Sequence, residues 1–111
     1  MHPEIRWVYP KVRGHELTFH SGEILTPGEF GILEAPDGSP EIPLSEIDLF
    51  LCPGLAFDLT GGRLGRGRGF YDRLLARARP DAIKLGICFP QQIVSNTFSE
   101  PHDIHMDQVV F

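Results

Sequence analysis

The centre of the chain, from residue 61 to residue 72, reads Gly61-Gly62-Arg63-Leu64-Gly65-Arg66-Gly67-Arg68-Gly69-Phe70-Tyr71-Asp72. From Phe70 onward, apolar side chains recur every three or four residues, which predicts an amphipathic helix that ends before Pro80. Apolar runs lie on either side, at residues 47–53 and 84–89, and such runs are typical of buried parallel strands. The order strand, glycine-rich loop, helix, strand therefore predicts a βαβ unit and an α/β fold.

The first part of the chain is rich in turn residues, because most of the ten prolines and twelve glycines lie before residue 70. Residues 6–9 predict a strand that stops at Pro10, and residues 16–19 predict a second strand. Residues 34–43 carry three prolines and predict a loop. At the far end, residues 109–111 form a further apolar run, for which we expect another buried strand.

The composition is that of one small globular domain, which we expect to span residues 1–111, with 41% hydrophobic and 23% charged residues. No apolar run approaches the roughly 20 residues that a membrane helix needs, and the first six residues lack a signal-peptide core. Cys52 and Cys88 both lie inside apolar runs. We therefore expect reduced core thiols and a cytoplasmic protein that does not bind membranes.

Charge is distributed unevenly along the chain. Residues 63–84 hold seven basic and two acidic side chains, a local balance of +5, whereas the whole chain has a net charge of −5. A positive region in an acidic protein predicts an anionic ligand at one place. The overall negative charge speaks against a general nucleic-acid-binding protein.

The alternation of glycine and arginine before a helix is the pattern of a phosphate-binding loop. Glycines let backbone N–H groups approach an anion, a helix N-terminus adds donors, and arginines add forked hydrogen bonds. The stretch is not a Walker P-loop, because no Gly-Lys-Ser/Thr follows, nor a Rossmann fingerprint, because Phe70 replaces the third glycine. Two alternatives stay open on spacing alone: a plain glycine-rich turn with solvated arginines, and an arginine–glycine tract that binds RNA.

Several aspartates are candidate metal ligands. Asp72, in the first turn of the predicted helix, either complements the helix dipole or holds Mg²⁺ against bound phosphates. A second carboxylate would come from Asp58, Asp103 or Asp107, unless these are solvated loop residues. A zinc or iron site is a weaker alternative, because its candidate ligands lie on a predicted loop without a nearby cysteine. These candidates are His102 and His105.

Six stretches carry a family resemblance in the expected order, at residues 53–58, 62–73, 85–89, 91–92, 102–103 and 106–110. The most specific runs from Arg63 to Asp72 and has the pattern Arg-Leu-Gly-x-Gly-x-Gly-aromatic-Tyr-Asp. Together they resemble the 5-formyltetrahydrofolate cyclo-ligases, also called methenyltetrahydrofolate synthetases. Residues 30–34 resemble an upstream motif of the same family, here interrupted by Ala35.

The resemblance implies a three-layer α/β fold with a mostly parallel, Rossmann-like sheet. It also implies an ATP- and Mg²⁺-dependent enzyme that converts 5-formyltetrahydrofolate to 5,10-methenyltetrahydrofolate and releases ADP and phosphate. Carried onto this chain, it makes Arg66 and Arg68 the catalytic side chains and Asp72 and Asp103 the magnesium ligands, with Asp107 as an alternative. The implied ATP-binding residues are Arg63, Leu64, Gly65, Arg66, Gly67, Arg68, Gly69, Phe70 and Tyr71.

The resemblance further implies an additional N-terminal region, which contacts ATP and folate and has no counterpart among these 111 residues. Three explanations are open: the chain is a fragment, it pairs with a separate N-terminal chain, or it is a short homologue that binds nucleotide or folate without catalysis. Central strands that lack a neighbour would leave an open edge and an exposed apolar face. We therefore expect self-association or a separate partner chain.

Overall fold

The computed structural model describes residues 5–14, 16–21, 26–27, 33–34, 38–65, 69–100 and 103–111. In this part of the chain there are ten short strands and one α-helix, α1, which spans Phe70–Leu75. The strands are β1 Val8–Arg13, β2 Glu16–Ser21, β3 Thr26–Pro27, β4 Leu33–Glu34, β5 Glu41–Ile42, β6 Leu49–Cys52, β7 Ala56–Phe57, β8 Arg63–Leu64, β9 Ile83–Ile87 and β10 Gln108–Val110.

The apolar runs form the strands of a three-stranded parallel sheet, in the order β10–β9–β6, as predicted. Strands β6 and β9 are parallel neighbours in register, with Leu51 opposite Leu85, and α1 lies between them in the chain. The βαβ prediction is thereby confirmed. The run at the end of the chain also forms the strand expected, because β10 pairs in parallel with β9.

The two faces of the parallel sheet differ in burial. On one face Phe50 is 3% exposed and Cys52 is fully buried, whereas Leu49 and Leu51 on the other face are 43% and 49% exposed. The prediction that the run at residues 47–53 is buried on both faces is therefore wrong for the described part of the chain. Burial raises the pKa of the Cys52 thiol to about 11, and both cysteines are free thiols, as expected.

A second, antiparallel sheet has the order β1–β2–β5. Pro10 does not end the first strand but lies inside β1, opposite Phe19. The predicted stop is wrong because β1 is an edge strand of this sheet, where the missing N–H of proline is tolerated. Part of the predicted loop at residues 34–43 is also a strand, since Ile42 in β5 pairs with Phe19. Strands β3 and β4 form a separate antiparallel pair.

The hydrophobic core lies between the two sheets and is completed by α1. Phe19 from the antiparallel sheet and Phe50 from the parallel sheet meet edge to face, with ring centroids 5.8 Å apart. Leu74 and Leu75 of α1 join the same cluster and are 1% and 3% exposed. The helix is shorter than predicted. It ends at Leu75, and the chain then continues in turns, whereas the prediction had the helix end just before Pro80. No helix in the described ranges is both long and apolar enough to cross a membrane.

Candidate functional site

The glycine–arginine loop, residues 61–72, begins on a hairpin whose open end lies beside the carboxyl ends of the parallel strands β6 and β9. The hairpin pairs β7 with β8 and follows directly after β6. At its open end the Leu55 N–H donates to the Leu64 carbonyl at 2.8 Å. The Gln92 side-chain amide, just beyond β9, donates to the Gly54 carbonyl at 2.9 Å. The carboxyl ends of parallel strands are where ligands bind in open α/β sheets.

Arg63 fastens the two ends of the loop to each other. Its Nε donates to the Pro53 carbonyl at 2.6 Å, directly after β6. Its guanidinium also lies over the ring of Tyr71 in α1, 5.0 Å from the centroid. Burial raises the pKa of Tyr71 to about 12. One side chain thus ties the end of β6 to the first turn of the helix.

Gly69 directs the loop into α1. Its φ of 69° lies in the left-handed region that favours glycine. A side chain at this position would also approach Arg73, because an added Cβ would lie 2.9 Å from Nη1 of that residue. The helix has no side-chain N-cap, so backbone geometry rather than a polar cap sets its start.

The predicted ATP-binding residues that the structure describes lie at the two ends of the loop. Gly69, Phe70 and Tyr71 are half-buried at the start of α1, whereas Leu64 at the opposite end of the loop is 48% exposed. Arg63 and Gly65 are also half-buried. Outside the described residues lie Arg66, Gly67 and Arg68, so the roles of the two arginines as catalytic side chains stay predictions.

Asp58 is not available as a metal ligand, because both of its oxygens are already occupied by hydrogen-bond donors. Its Oδ1 accepts the backbone N–H groups of Thr60 and Gly62 at 3.0 and 2.9 Å and the Thr60 hydroxyl at 2.6 Å. Its Oδ2 accepts the Thr97 N–H and hydroxyl at 3.0 and 2.8 Å. These bonds, the Thr60 hydroxyl foremost, hold the pKa of the buried Asp58 well below its usual range.

Asp58 therefore fastens the tip of the β7–β8 hairpin to the segment that contains Thr97. The two glycines at the start of the loop serve this same turn rather than a ligand. Gly61 has a φ of 98°, and its carbonyl accepts the Met106 N–H at 2.8 Å. A Cβ on Gly62 would overlap both Thr97 Oγ1 and the Asp58 carboxylate. Thr60 and Thr97 were not among the residues predicted from the sequence, although Asp58-x-Thr60 before two glycines is a recognisable turn signal.

The other three candidate metal ligands, Asp72, Asp103 and Asp107, lie in different parts of the structure. Asp72 lies half-buried in the first turn of α1. The Oδ2 of Asp103 accepts the Glu100 N–H at 2.8 Å, and the Asp103 N–H donates back to the Glu100 carbonyl at 2.9 Å. Asp107 accepts the Lys84 N–H at 2.7 Å, which places it at the amino end of β9. Asp107 stays the predicted alternative to Asp103 as a magnesium ligand.

The alternative of a zinc or iron site gains no support from the described part of the chain. Within it, no three side chains of His, Cys, Asp or Glu come together to hold a metal ion. His105 lies at an exposed position, and His102 falls outside the described residues.

Comparisons with known proteins agree on one family. The model of the 5-formyltetrahydrofolate cyclo-ligase family matches residues 8–111. A 5-formyltetrahydrofolate cyclo-ligase of Mycolicibacterium smegmatis is 39% identical over 89 residues, which cover 78% of this chain and 45% of that protein. The mouse protein of the same name is 34% identical over 95 residues, which cover 82% of this chain and 44% of that protein.

Solved structures give the same result for the fold. The 5,10-methenyltetrahydrofolate synthetase of Aquifex aeolicus has a TM-score of 0.77 and 36% identity, and the match covers 96% of this chain and 55% of that one. For the synthetase of Mycoplasma pneumoniae the TM-score is 0.75 at 29% identity, over 96% of this chain and 56% of that one. The chain thus spans about half the length of the curated relatives and solved structures that it matches.

Proposed function

Because the chain belongs to the 5-formyltetrahydrofolate cyclo-ligase family, we propose that it takes part in the ATP-dependent conversion of 5-formyltetrahydrofolate to 5,10-methenyltetrahydrofolate. In this reaction the formyl oxygen attacks the γ-phosphorus of ATP and ADP leaves. N10 of the folate then attacks the activated formyl carbon and gives up its proton to solvent, the ring closes and phosphate leaves. The protein's contribution to such phosphoryl transfer is mainly positioning and charge neutralisation.

The observation that carries the proposal is the placement of the glycine–arginine loop. Arg63 holds its two ends together beside the carboxyl end of β6, through the Pro53 carbonyl and the Tyr71 ring. We assign ATP binding to residues 63–71, and we assign to Arg66 and Arg68 the stabilisation of charge on the transferred phosphoryl group. The three arginines of the loop, Arg63, Arg66 and Arg68, favour a polyanionic substrate at this place.

We propose Asp72 and Asp103 as the protein ligands of a magnesium ion. When bound, the ion would neutralise charge on the phosphates of ATP. The donor set fits, because Mg²⁺ in nucleotide sites is bound by one or two carboxylates together with phosphate oxygens and water. The hydrogen bonds that join Asp103 and Glu100 hold the Asp103 carboxylate in a defined turn.

We also propose that residues 1–111 form a single domain that corresponds to one portion of a longer, three-layer cyclo-ligase fold. The shared core between the two sheets, with Phe19 against Phe50, supports a single domain. The partial coverage of the relatives supports the correspondence to a portion of their fold.

The activity is tested by the appearance of methenyltetrahydrofolate absorbance, with the chain alone and with the additional region of a relative supplied. We expect Arg66→Ala to lower kcat/KM by about 10²–10³, since it removes a donor to transition-state charge. Arg77→Ala is the matched control, because Arg77 lies on the surface outside the loop, with its Nη1 3.8 Å from Oε1 of Glu16. A folded protein without turnover in either mixture would contradict the catalytic proposal.

A second candidate function is favoured by the half-length coverage of the relatives: a homologue that binds nucleotide or folate without ring closure. It predicts ATP binding by calorimetry that Gly67→Ala weakens, with no turnover in either mixture. Undetectable ATP binding by the folded chain would contradict this alternative.

A further inference from the structure

The turn between β6 and β7, residues 53–55, receives hydrogen bonds from the side chains of two different elements. Nε of Arg63, in β8, donates to the Pro53 carbonyl at 2.6 Å. The side-chain amide of Gln92, just beyond β9, donates to the Gly54 carbonyl at 2.9 Å and, over a longer distance of 3.3 Å, to the Leu55 carbonyl. These carbonyls lie outside the strands, and side-chain donors hold them in place.

The Gln92 side chain is itself fixed at the end of β9. It belongs to one turn of 3₁₀ helix, Pro90–Gln92, that follows this strand. Its Oε1 accepts the Phe89 N–H at 2.8 Å, and its own backbone N–H donates to the Phe89 carbonyl at 2.9 Å. A side-chain amide has one acceptor oxygen and one NH₂ group, so the bond from Phe89 sets the direction in which Nε2 points. Half-buried Gln92 thus joins the end of β9 to the turn after β6.

The turn at residues 53–55 supports the start of the glycine–arginine loop. The Leu55 N–H donates to the Leu64 carbonyl at 2.8 Å and closes the hairpin on which the loop begins. Gly54 lies against the stem of Arg63, because an added Cβ would come within 3.2 Å of the Arg63 Cγ. A shift of this turn would therefore move Arg63 and Leu64 together, and with them the first residues of the loop.

We propose that Gln92 is a positioning residue for ATP binding, which fixes the turn at residues 53–55 and thereby aims Arg63 and the loop, without contact to ATP. The inference rests on the proposed assignment of ATP to residues 63–71. Gln92 connects the turn to β9, whereas Arg63 connects it to the loop and to α1. The loop is thereby held relative to the parallel sheet as well as to the helix. Donors that are already in place bind an anion more tightly, since ordering them on binding costs affinity.

The test compares Gln92→Met with Gln91→Met, the matched control at the exposed neighbouring position of the same helical turn. Met has nearly the length of Gln and no charge, so Gln92→Met removes the side-chain hydrogen bonds to residues 54, 55 and 89 and little else. We expect Gln92→Met to weaken ATP binding by about tenfold in calorimetry. In the turnover mixture, KM for ATP should rise by a similar factor while kcat stays within about twofold of wild type. A merely structural role would lower the active fraction, and hence kcat, with KM unchanged.

Gln92→Glu is a second variant, which separates the donor from the acceptor. It keeps an acceptor for the Phe89 N–H but turns a carboxylate oxygen towards the Gly54 and Leu55 carbonyls. It should therefore weaken ATP binding at least as much as Gln92→Met does. Gln91→Glu controls for the added negative charge.

Hydrogen exchange without nucleotide separates this inference from the proposed function. The Leu55 amide should exchange at least about tenfold faster in Gln92→Met than in Gln91→Met, while the amides of β1 and β2 keep their rates. A wild-type chain that binds no ATP would contradict the proposed function. Faster exchange at Leu55 would then still support the positioning of the loop, and equal rates would overturn it. If the wild type binds ATP, equal binding by the variants at residues 91 and 92, or a fall in kcat alone, would overturn the inference.

Discussion

Replacement of Asp58 by asparagine should loosen the hairpin that carries the glycine–arginine loop. Asn would keep one carbonyl oxygen, which can still accept from Thr60 and Gly62 in the place of Oδ1. Its NH₂ group, in the place of Oδ2, would face the Thr97 N–H, which is also a donor. A hydrogen bond to a charged acceptor contributes roughly 1.5–3 kcal/mol, and a buried donor without an acceptor costs about 1–3 kcal/mol. We therefore expect the free energy of unfolding to fall by about 2–4 kcal/mol.

Urea unfolding at neutral pH measures this loss. Asp81→Asn is the control, because it makes the same chemical change at a carboxylate that is 76% exposed and paired with Arg79 on the surface. Exposed ion pairs contribute little to stability, so the control should stay close to wild type. If the Asp58 and Asp81 variants had the same stability, the interpretation of Asp58 as the fastening of the hairpin would be wrong.

The lowered pKa of Asp58 predicts how the free energy of unfolding changes with pH. The pKa of Asp58 is lower in the folded chain than the ordinary value of about 3.9 that applies on unfolding. Its contribution to stability is therefore fully present above that value and is lost as the pH falls towards the folded pKa. The stability difference between wild type and Asp58→Asn should shrink when urea unfolding is repeated at pH 3. A difference that stays constant from pH 7 to pH 3 would contradict the assignment.

Two further substitutions and one measurement of thiol reactivity test neighbouring contacts. Arg63→Ala should lower the free energy of unfolding by about 1–2 kcal/mol, because it removes the contacts to Pro53 and Tyr71, and calorimetry should show weaker ATP binding. Gly62→Ala should lower the thermal midpoint, because its Cβ would overlap the Asp58 carboxylate; an unchanged midpoint would count against this. Cys52 should resist thiol reagents in the folded chain, because its pKa is about 11 and it is fully buried, and should react at the rate of a free thiol in urea.

Local patterns in the sequence were enough to predict the parallel strands, the helix and the loop between them. The apolar runs predicted β6, β9 and β10 because a short continuous apolar run next to turn residues is typical of a strand in a parallel sheet. The glycines and arginines before Phe70 predicted a loop that ends in a helix, because backbone freedom and helical spacing are properties of neighbouring residues. The same loop carried the family resemblance that the comparisons confirm.

Contacts between distant residues decided what the local patterns could not. Asp58 accepts hydrogen bonds from Thr97, 39 positions away, and that distant contact occupies the oxygen that Thr60 and Gly62 leave free. Pro10 lies inside a strand because β1 takes an edge position in its sheet, and that position depends on which distant strands pair with one another. An apolar run such as Leu49–Cys52 has two faces with the same composition, so burial of Phe50 and exposure of Leu51 depend on which other elements pack against the sheet.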